Sequence, residues 1–193
     1  MVDASEWDER YRAADRLWSA EPNLFVADRL AHAKPGTGVD LAGGEGRNGI
    51  WLASLGWTMT IVDFSEAAIE RGRNRAPDVE FVVADVLDWE PGRPVDLVLI
   101  AYLHLQVDQF ASVVGRSQEW LAPGGELFMI GHDRANPEEG YGGPQNPEIL
   151  WDVDEVVDLI EGEIVESLVV RRPVETPDGT VYALDTLVRA RLA

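Results

Sequence analysis

The chain has 193 residues, 46% of them apolar, with 35 acidic against 16 basic side chains and a formal charge of −19. That length fits a single domain with a full core, and the average field of so acidic a surface repels phosphate backbones and anionic lipid, excluding nucleic acid and membranes as natural partners. The absence of cysteine excludes a disulfide framework, a thiolate zinc site and a cysteine nucleophile.

No apolar run approaches the roughly 18 residues needed to span a bilayer. The first residues, Met1-Val2-Asp3-Ala4-Ser5-Glu6, are acidic where an export signal would be basic. A cytoplasmic protein is expected.

From the N-terminus, Trp7, Tyr11 and Ala14 recur at helical spacing in a polar run from Ser5 to Ala14. A second helix is expected from Pro22 to His32, stopped by Pro35-Gly36. Together residues 1–35 read as a helical lid, and 36–193 as an alternating core. Val39 to Ala42 forms a buried strand, Arg47 to Leu55 its helix closed by Gly56, and Thr58 to Asp63 a second strand. Ser65 is placed to cap a helix running to Arg75 before Pro77.

Val79 to Ala84 and Val95 to Ile100 give the third and fourth strands. Gln106 to Leu121 gives the next helix, Pro123-Gly124-Gly125 a turn, and Glu126 to Gly131 the fifth strand. Asp133 to Trp151 reads as a long loop over the active face, and Asp152 to Ile160 as helical. Glu163 to Arg172 and Thr180 to Leu192 are strand-like around Pro177-Asp178-Gly179, a hairpin signal. The sum is an α/β, Rossmann-like three-layer sandwich with a seven-stranded, mostly parallel sheet and an antiparallel last strand.

The segment Asp40-Leu41-Ala42-Gly43-Gly44-Glu45-Gly46-Arg47-Asn48 carries most of the functional information. Its three glycines allow a sharp turn and close backbone approach to a ligand, and the helix that follows offers unpaired N–H groups. Asp63 lies about twenty residues on, where an acid can accept from ribose hydroxyls. Both features also suit a dinucleotide.

Taken with Asp85 after the third strand and the closing hairpin, this pattern resembles the class I S-adenosylmethionine-dependent methyltransferases over nearly the whole chain. Gly44-Glu45-Gly46-Arg47-Asn48 and Val62-Asp63-Phe64-Ser65 are similar to the small bacterial tellurite-resistance and thiopurine methyltransferase-like group. The turn Leu121-Ala122-Pro123-Gly124-Gly125 also resembles the class.

The resemblance implies S-adenosylmethionine as cofactor and S-adenosylhomocysteine as product. It assigns Gly43, Gly44 and Gly46 to the methionine moiety and places Asp40, Ala42, Arg47 and Asn48 among the cofactor-binding residues. Asp63, Phe64 and Ser65 fall to the ribose and adenine, Asp85, Val86 and Leu87 to the adenine edge, and Ala101 and Tyr102 to the methionine tail. Asp40 would hold the loop or reach the ammonium through water. Apart from the resemblance, Arg10, near Trp7 and Tyr11, either pairs with the cofactor carboxylate or is solvated, and Trp7, Trp18 and Trp151 are pocket candidates because they lie in the proposed lid segments. Ala42 departs from the family by replacing the first glycine; a methyl group is expected to be tolerated there because the position need not adopt a positive φ.

Methyl transfer is an in-line displacement that depends on positioning and exclusion of water, with a general base added for a nucleophile of high pKa. His104 and His132 follow the fourth and fifth strands, at the sheet edge where α/β folds bind ligands; with Tyr102 they are the catalytic candidates, each histidine being either a base or a group that satisfies backbone. Asp133 either orients His132 or faces solvent. The segment after the fourth strand, Ile100-Ala101-Tyr102-Leu103-His104-Leu105, lacks the Asn-Pro-Pro-Tyr motif of the nucleic-acid amino methylases.

A small-molecule acceptor is expected, with a thiol or other chalcogen favoured by resemblance alone. No histidines stand at ligand spacing, so no metal is expected. A dinucleotide-dependent oxidoreductase would share the loop and the acid, but Lys34 is the sole lysine and no Tyr-x₃-Lys dyad exists. A non-catalytic S-adenosylmethionine-binding protein is the third possibility.

Overall fold

The structure, a computed structural model, describes residues 4–13 and 19–192; Trp18 lies outside them. The chain divides into two compact units, Met1–Leu99 and Ile100–Ala193. Seven strands form one sheet in the order β3-β2-β1-β4-β5-β7-β6, the expected Rossmann-like α/β arrangement.

In the first unit, α1 (Ala4–Ala13) and α2 (Leu24–Leu30) precede β1 (Thr37–Leu41), α3 (Arg47–Ser54), β2 (Thr58–Asp63), α4 (Glu66–Arg75), β3 (Glu80–Val83) and the greater part of β4 (Val95–Ala101). β2 runs parallel to β1 and to β3, with Leu41 opposite Val62 and Asp63 opposite Val83. The ends of β1 and β2 therefore lie side by side, and the residues that follow them begin as neighbours. Val39, Leu41, Ile61, Val62, Leu97 and Leu99 are buried, which accounts for the near-continuous apolar runs of the strands. Ile61, Ile69 and Phe81 pack as one cluster.

Helix α2 starts two residues later than expected because Asn23, not Pro22, supplies the cap: its Oδ1 accepts from the N–H groups of Phe25 and Val26.

The second unit contains α5 (Val107–Glu119), β5 (Leu121–His132), α6 (Asn136–Glu139), a short 3₁₀ turn (Pro147–Ile149), α7 (Val153–Val157), β6 (Glu163–Thr176) and β7 (Gly179–Arg191). Pro123-Gly124-Gly125, expected to be a turn, lies instead within β5, with Gly124 left-handed at φ +76°. The Gly124 N–H donates to the Leu192 carbonyl and the Leu192 N–H donates to Gly125, so strand pairing continues through it. β7 runs antiparallel to both β5 and β6. The hairpin turn closes on Pro177-Asp178, tighter than expected; its first strand is longer than expected and its second begins and ends one residue earlier. The segment expected to be an irregular loop contains α6 and the 3₁₀ turn, and the Asn136 side chain secures it through the Gly142 carbonyl and the Leu184 N–H.

Candidate active site

In the first unit the glycine loop hangs on two buried carboxylates. The Gly43 N–H donates to the Val62 carbonyl at 3.1 Å, which ties the loop to the end of β2. Asp63, 5% exposed, accepts from the Gly44 N–H at 2.9 Å and from the Ser65 N–H at 2.8 Å. Burial pushes its pKa up, with those two N–H groups opposing. Asp40 accepts from the Gly49 N–H at 2.9 Å through Oδ2, while its buried Oδ1 has no partner. Burial raises Asp40 to about 7, opposed by Gly49 and by the Arg47 charge, with Asp63 adding to the rise.

The loop backbone departs from expectation at Ala42, whose φ is +53°. The chain must leave β1 and fold back at once over β2, so this residue takes the left-handed conformation that a non-glycine residue adopts at a cost of roughly 1–2 kcal/mol. Gly44 and Gly46 are also left-handed, at +58° and +80°. Helix α1 reaches this loop: a Cβ on Gly44 would run into the Tyr11 hydroxyl. Asp8 accepts from the Ser65 hydroxyl at 2.6 Å and the Ala67 N–H at 3.1 Å, joining α1 to the start of α4. The sequence offered no sign that Asp8 acts here.

The other residues expected around the cofactor divide. Asn48 is buried, but its Oδ1 accepts from the Asn23 N–H at 2.8 Å, so it anchors α2. Arg47 and Phe64 are half-buried, and Ser65 caps α4 through the Ala68 N–H. Asp85 is exposed; its Oδ1 accepts from the Leu87 N–H at 2.9 Å, a local turn, while Val86 is buried. Arg10 stacks over Trp7, 4.9 Å from the ring centre, and is exposed. The loop, Asp40 and Asp63 come together in one place. An unpartnered buried oxygen on Asp40 suits an ammonium group, and a carboxylate has lone pairs beyond the two that Asp63 already uses. These residues therefore fit an adenosylmethionine.

The second unit holds the other constellation. Ala101 closes β4, and Tyr102 follows with a φ of +60° and its N–H on the Ile130 carbonyl at 2.7 Å. Its hydroxyl donates to Oδ2 of Asp185 at 2.7 Å, and Arg172 Nε donates to the same oxygen at 2.7 Å. His132 Nδ1 stands 3.1 Å from the other oxygen, Oδ1. The distance is that of an ion pair, but the N–H is not aligned for a hydrogen bond, so both atoms remain unpaired. His104 stacks on His132, centroids 5.4 Å apart and planes 14° apart. Tyr102 lies 5.0 Å from the His132 ring.

His104 Nδ1 sits 3.1 Å from the Ile149 carbonyl, so that nitrogen carries the proton and Nε2, buried and unpartnered, is a lone pair. Burial lowers His104 to about 4, helped by His132, so it is neutral. Asp185 is fully buried. Burial alone would raise its pKa, but His132, Arg172 and Tyr102 outweigh it and hold the carboxyl below its usual range.

Asp133 neither orients His132 nor faces solvent. It is buried, accepting from the Thr186 hydroxyl at 2.6 Å and the Ala135 N–H at 2.9 Å. Trp151 is likewise core, with its indole N–H on the Leu103 carbonyl. A cleft of about 240 Å³ between Val107, Phe110, Ile149, Val156 and Leu159 contains none of the cluster's polar groups. Sequence reasoning missed Asp185 and Arg172. The available signal was a lone acid within Ala183-Leu184-Asp185-Thr186-Leu187-Val188, where an apolar face would not admit a charge without a partner. Among the described residues no group of three or more histidines and acids could hold a metal ion, and no helix is long and apolar enough to cross a membrane.

The chain carries the class I methyltransferase fold. Comparison with known proteins adds a match over part of the chain: residues 39–125 match the family model described as methyltransferase domain. A curated trans-aconitate 2-methyltransferase from Acidovorax sp. is 32% identical over 126 residues, 64% of this chain and 49% of its own. The chain thus spans about half the length of the curated relatives it matches. Among solved structures, TehB from Haemophilus influenzae is similar at TM-score 0.73 and 15% identity, over 98% of this chain and 67% of its own. The N-methyltransferase NodS from Bradyrhizobium japonicum, in complex with S-adenosyl-l-homocysteine, is similar at 0.72 and 19% identity, over 98% of each chain.

Proposed function

We propose that this protein is an S-adenosylmethionine-dependent methyltransferase whose acceptor is a small molecule carrying a transferable proton, with thiols and other chalcogens included. The observation that carries the proposal is the Asp63 carboxylate fastening the Gly44 N–H at the mouth of a loop inside the methyltransferase-domain match. S-adenosylmethionine supplies the electrophilic methyl group when bound. Asp40, with its spare oxygen, would receive the ammonium, and Asp63, which holds the loop, would accept from the ribose. Helix α1, latched through Asp8 and Tyr11, excludes water from the loop. On the acceptor side, His132 takes the proton that the nucleophile loses and His104 Nε2 accepts a hydrogen bond from the acceptor. The similarity to trans-aconitate 2-methyltransferases supports a small-molecule acceptor.

Calorimetric titration with S-adenosylmethionine, S-adenosylhomocysteine and nicotinamide dinucleotides tests the cofactor. Binding of the sulfur nucleotides alone is expected, and nicotinamide binding without them would give the oxidoreductase alternative. Mass spectrometry of products from a panel of thiols, selenite, carboxylic acids, phenols and amines tests the acceptor. A His132→Ala variant is expected to bind S-adenosylhomocysteine normally and lose turnover. No product from any acceptor, with cofactor binding intact, would leave a non-catalytic binding protein.

A further inference from the structure

We propose that Asp185 is a positioning residue that fixes the His132 imidazole in the tautomer with its proton on Nδ1, leaving Nε2 as the basic nitrogen. This deepens the methyltransferase assignment above and rests on it for its catalytic consequence.

The arrangement follows from strand register. His132, the last residue of β5, lies directly opposite Asp185 on β7, and directly opposed residues of an antiparallel pair project to the same face, with Cβ atoms about 5 Å apart. On the other side of β7, Asp185 faces Val170 and Ala183 faces Arg172. Arg172 is thus the diagonal neighbour, two residues along β6 on the same face. Two strands bring a histidine and an arginine to one carboxylate.

The two oxygens of that carboxylate do different work. Oδ2 receives both strong donors, the Tyr102 hydroxyl and Arg172 Nε, each at 2.7 Å. Those two bonds fix the plane of the carboxylate and keep it charged in a fully buried place. Oδ1 receives neither and stands 3.1 Å from His132 Nδ1. An anion at that distance favours a proton on the facing nitrogen. With Nδ1 protonated, the lone pair of a neutral imidazole is on Nε2.

The other neighbours of the ring agree with that assignment. A Cβ on Gly143 would lie 2.9 Å from His132 Nε2, so the glycine keeps space beside this nitrogen. His104, stacked on the ring, has its own proton directed to the Ile149 carbonyl and presents only a lone pair. It neither donates a proton to His132 nor repels it as a cation. Arg172, positioned over the Tyr102 ring at 5.5 Å, neutralises the charge of Asp185. The site therefore contains an oriented base without a net charge of its own.

The test is nitrogen NMR of the protein labelled at histidine. There are three histidines, and His32→Gln and His104→Gln variants assign the His132 signals. Wild-type protein at neutral pH is expected to show a protonated Nδ1 and an unprotonated Nε2 at His132; the opposite tautomer would overturn the proposal without recourse to any variant. In Asp185→Asn the proton is expected to redistribute toward Nε2. Methyl transfer to the best acceptor of the panel is expected to fall at least tenfold, with affinity for S-adenosylhomocysteine within about twofold of wild type. An unchanged tautomer or unchanged turnover in a folded Asp185→Asn protein would refute the role. Failure of wild-type protein to bind S-adenosylhomocysteine would instead count against the methyltransferase assignment, since the tautomer is read without any methyl transfer.

Discussion

Replacing Asp63 by alanine removes one carboxylate from two jobs, and the structure gives the size of the first. Two buried backbone N–H groups, of Gly44 and Ser65, donate to it at 2.9 and 2.8 Å. Hydrogen bonds to a charged group contribute roughly 1.5–3 kcal/mol each. Against that, the carboxylate resists burial, as its raised pKa shows, and alanine removes this cost. The expected net loss of unfolding free energy is about 2–4 kcal/mol, read as a lower urea midpoint with an unchanged slope. Calorimetry should show a further loss of about 1–3 kcal/mol in S-adenosylhomocysteine affinity, from the ribose contact and the loosened loop. Asp63→Asn retains one acceptor oxygen and turns an NH₂ toward the other N–H, so it should fall between wild type and alanine. A stability change below about 0.5 kcal/mol in Asp63→Ala, within the ordinary scatter of surface substitutions, would show that the carboxylate does not hold the loop.

Asp40 predicts an unusual dependence of stability on pH. With a folded pKa of about 7 against an ordinary 3.8, the folded protein retains a proton through a range where the unfolded chain has lost it. Stability should therefore fall as pH rises from about 4 to 7 and level off above, by up to about 4 kcal/mol. Urea midpoints of Asp40→Asn should match wild type near pH 4 and exceed it at pH 8; parallel curves would refute this. Gly44→Ala places a side chain at φ +58° against the Tyr11 hydroxyl and should cost about 1–2 kcal/mol in backbone strain alone. Adding Tyr11→Phe should recover part of the remainder in a double-mutant cycle, while strict additivity would show that α1 does not rest on the loop. Asn23→Ala removes the α2 cap and should lower stability by about 1 kcal/mol without altering the His132 signals.

The order of strands and helices was legible because buried parallel strands are written as apolar runs and their crossovers as helical periods with caps such as Ser65. The glycine loop and the acids beside it were equally legible, since they are local in sequence. Where expectation failed, the cause was nonlocal. Ala42 takes a positive φ because β2 lies beside it, which its own neighbours do not reveal. Pro123-Gly124-Gly125 has every sign of a turn, but Leu192 offers backbone groups that extend it. Asp133, read as either orienting His132 or facing solvent, does neither, because adjacent residues of extended chain project to opposite faces and its own side goes inward. The actual partner of His132 lies 53 residues away and is chosen by the pairing of β5 with β7.

That pairing also bears on how such a protein diversifies. The stretch matched by the methyltransferase domain ends at residue 125, before His132, Arg172 and Asp185. These three side chains meet only through the alignment of β5, β7 and β6, and a slip of one residue would turn Asp185 to the opposite face and dissolve the cluster. If this cluster serves the acceptor as proposed, a hairpin of different pairing or composition would rewrite its chemistry while the glycine loop stayed as it is. The cluster is thus set by the register of the hairpin formed by residues 163–191, and the loop by contacts that lie wholly outside it.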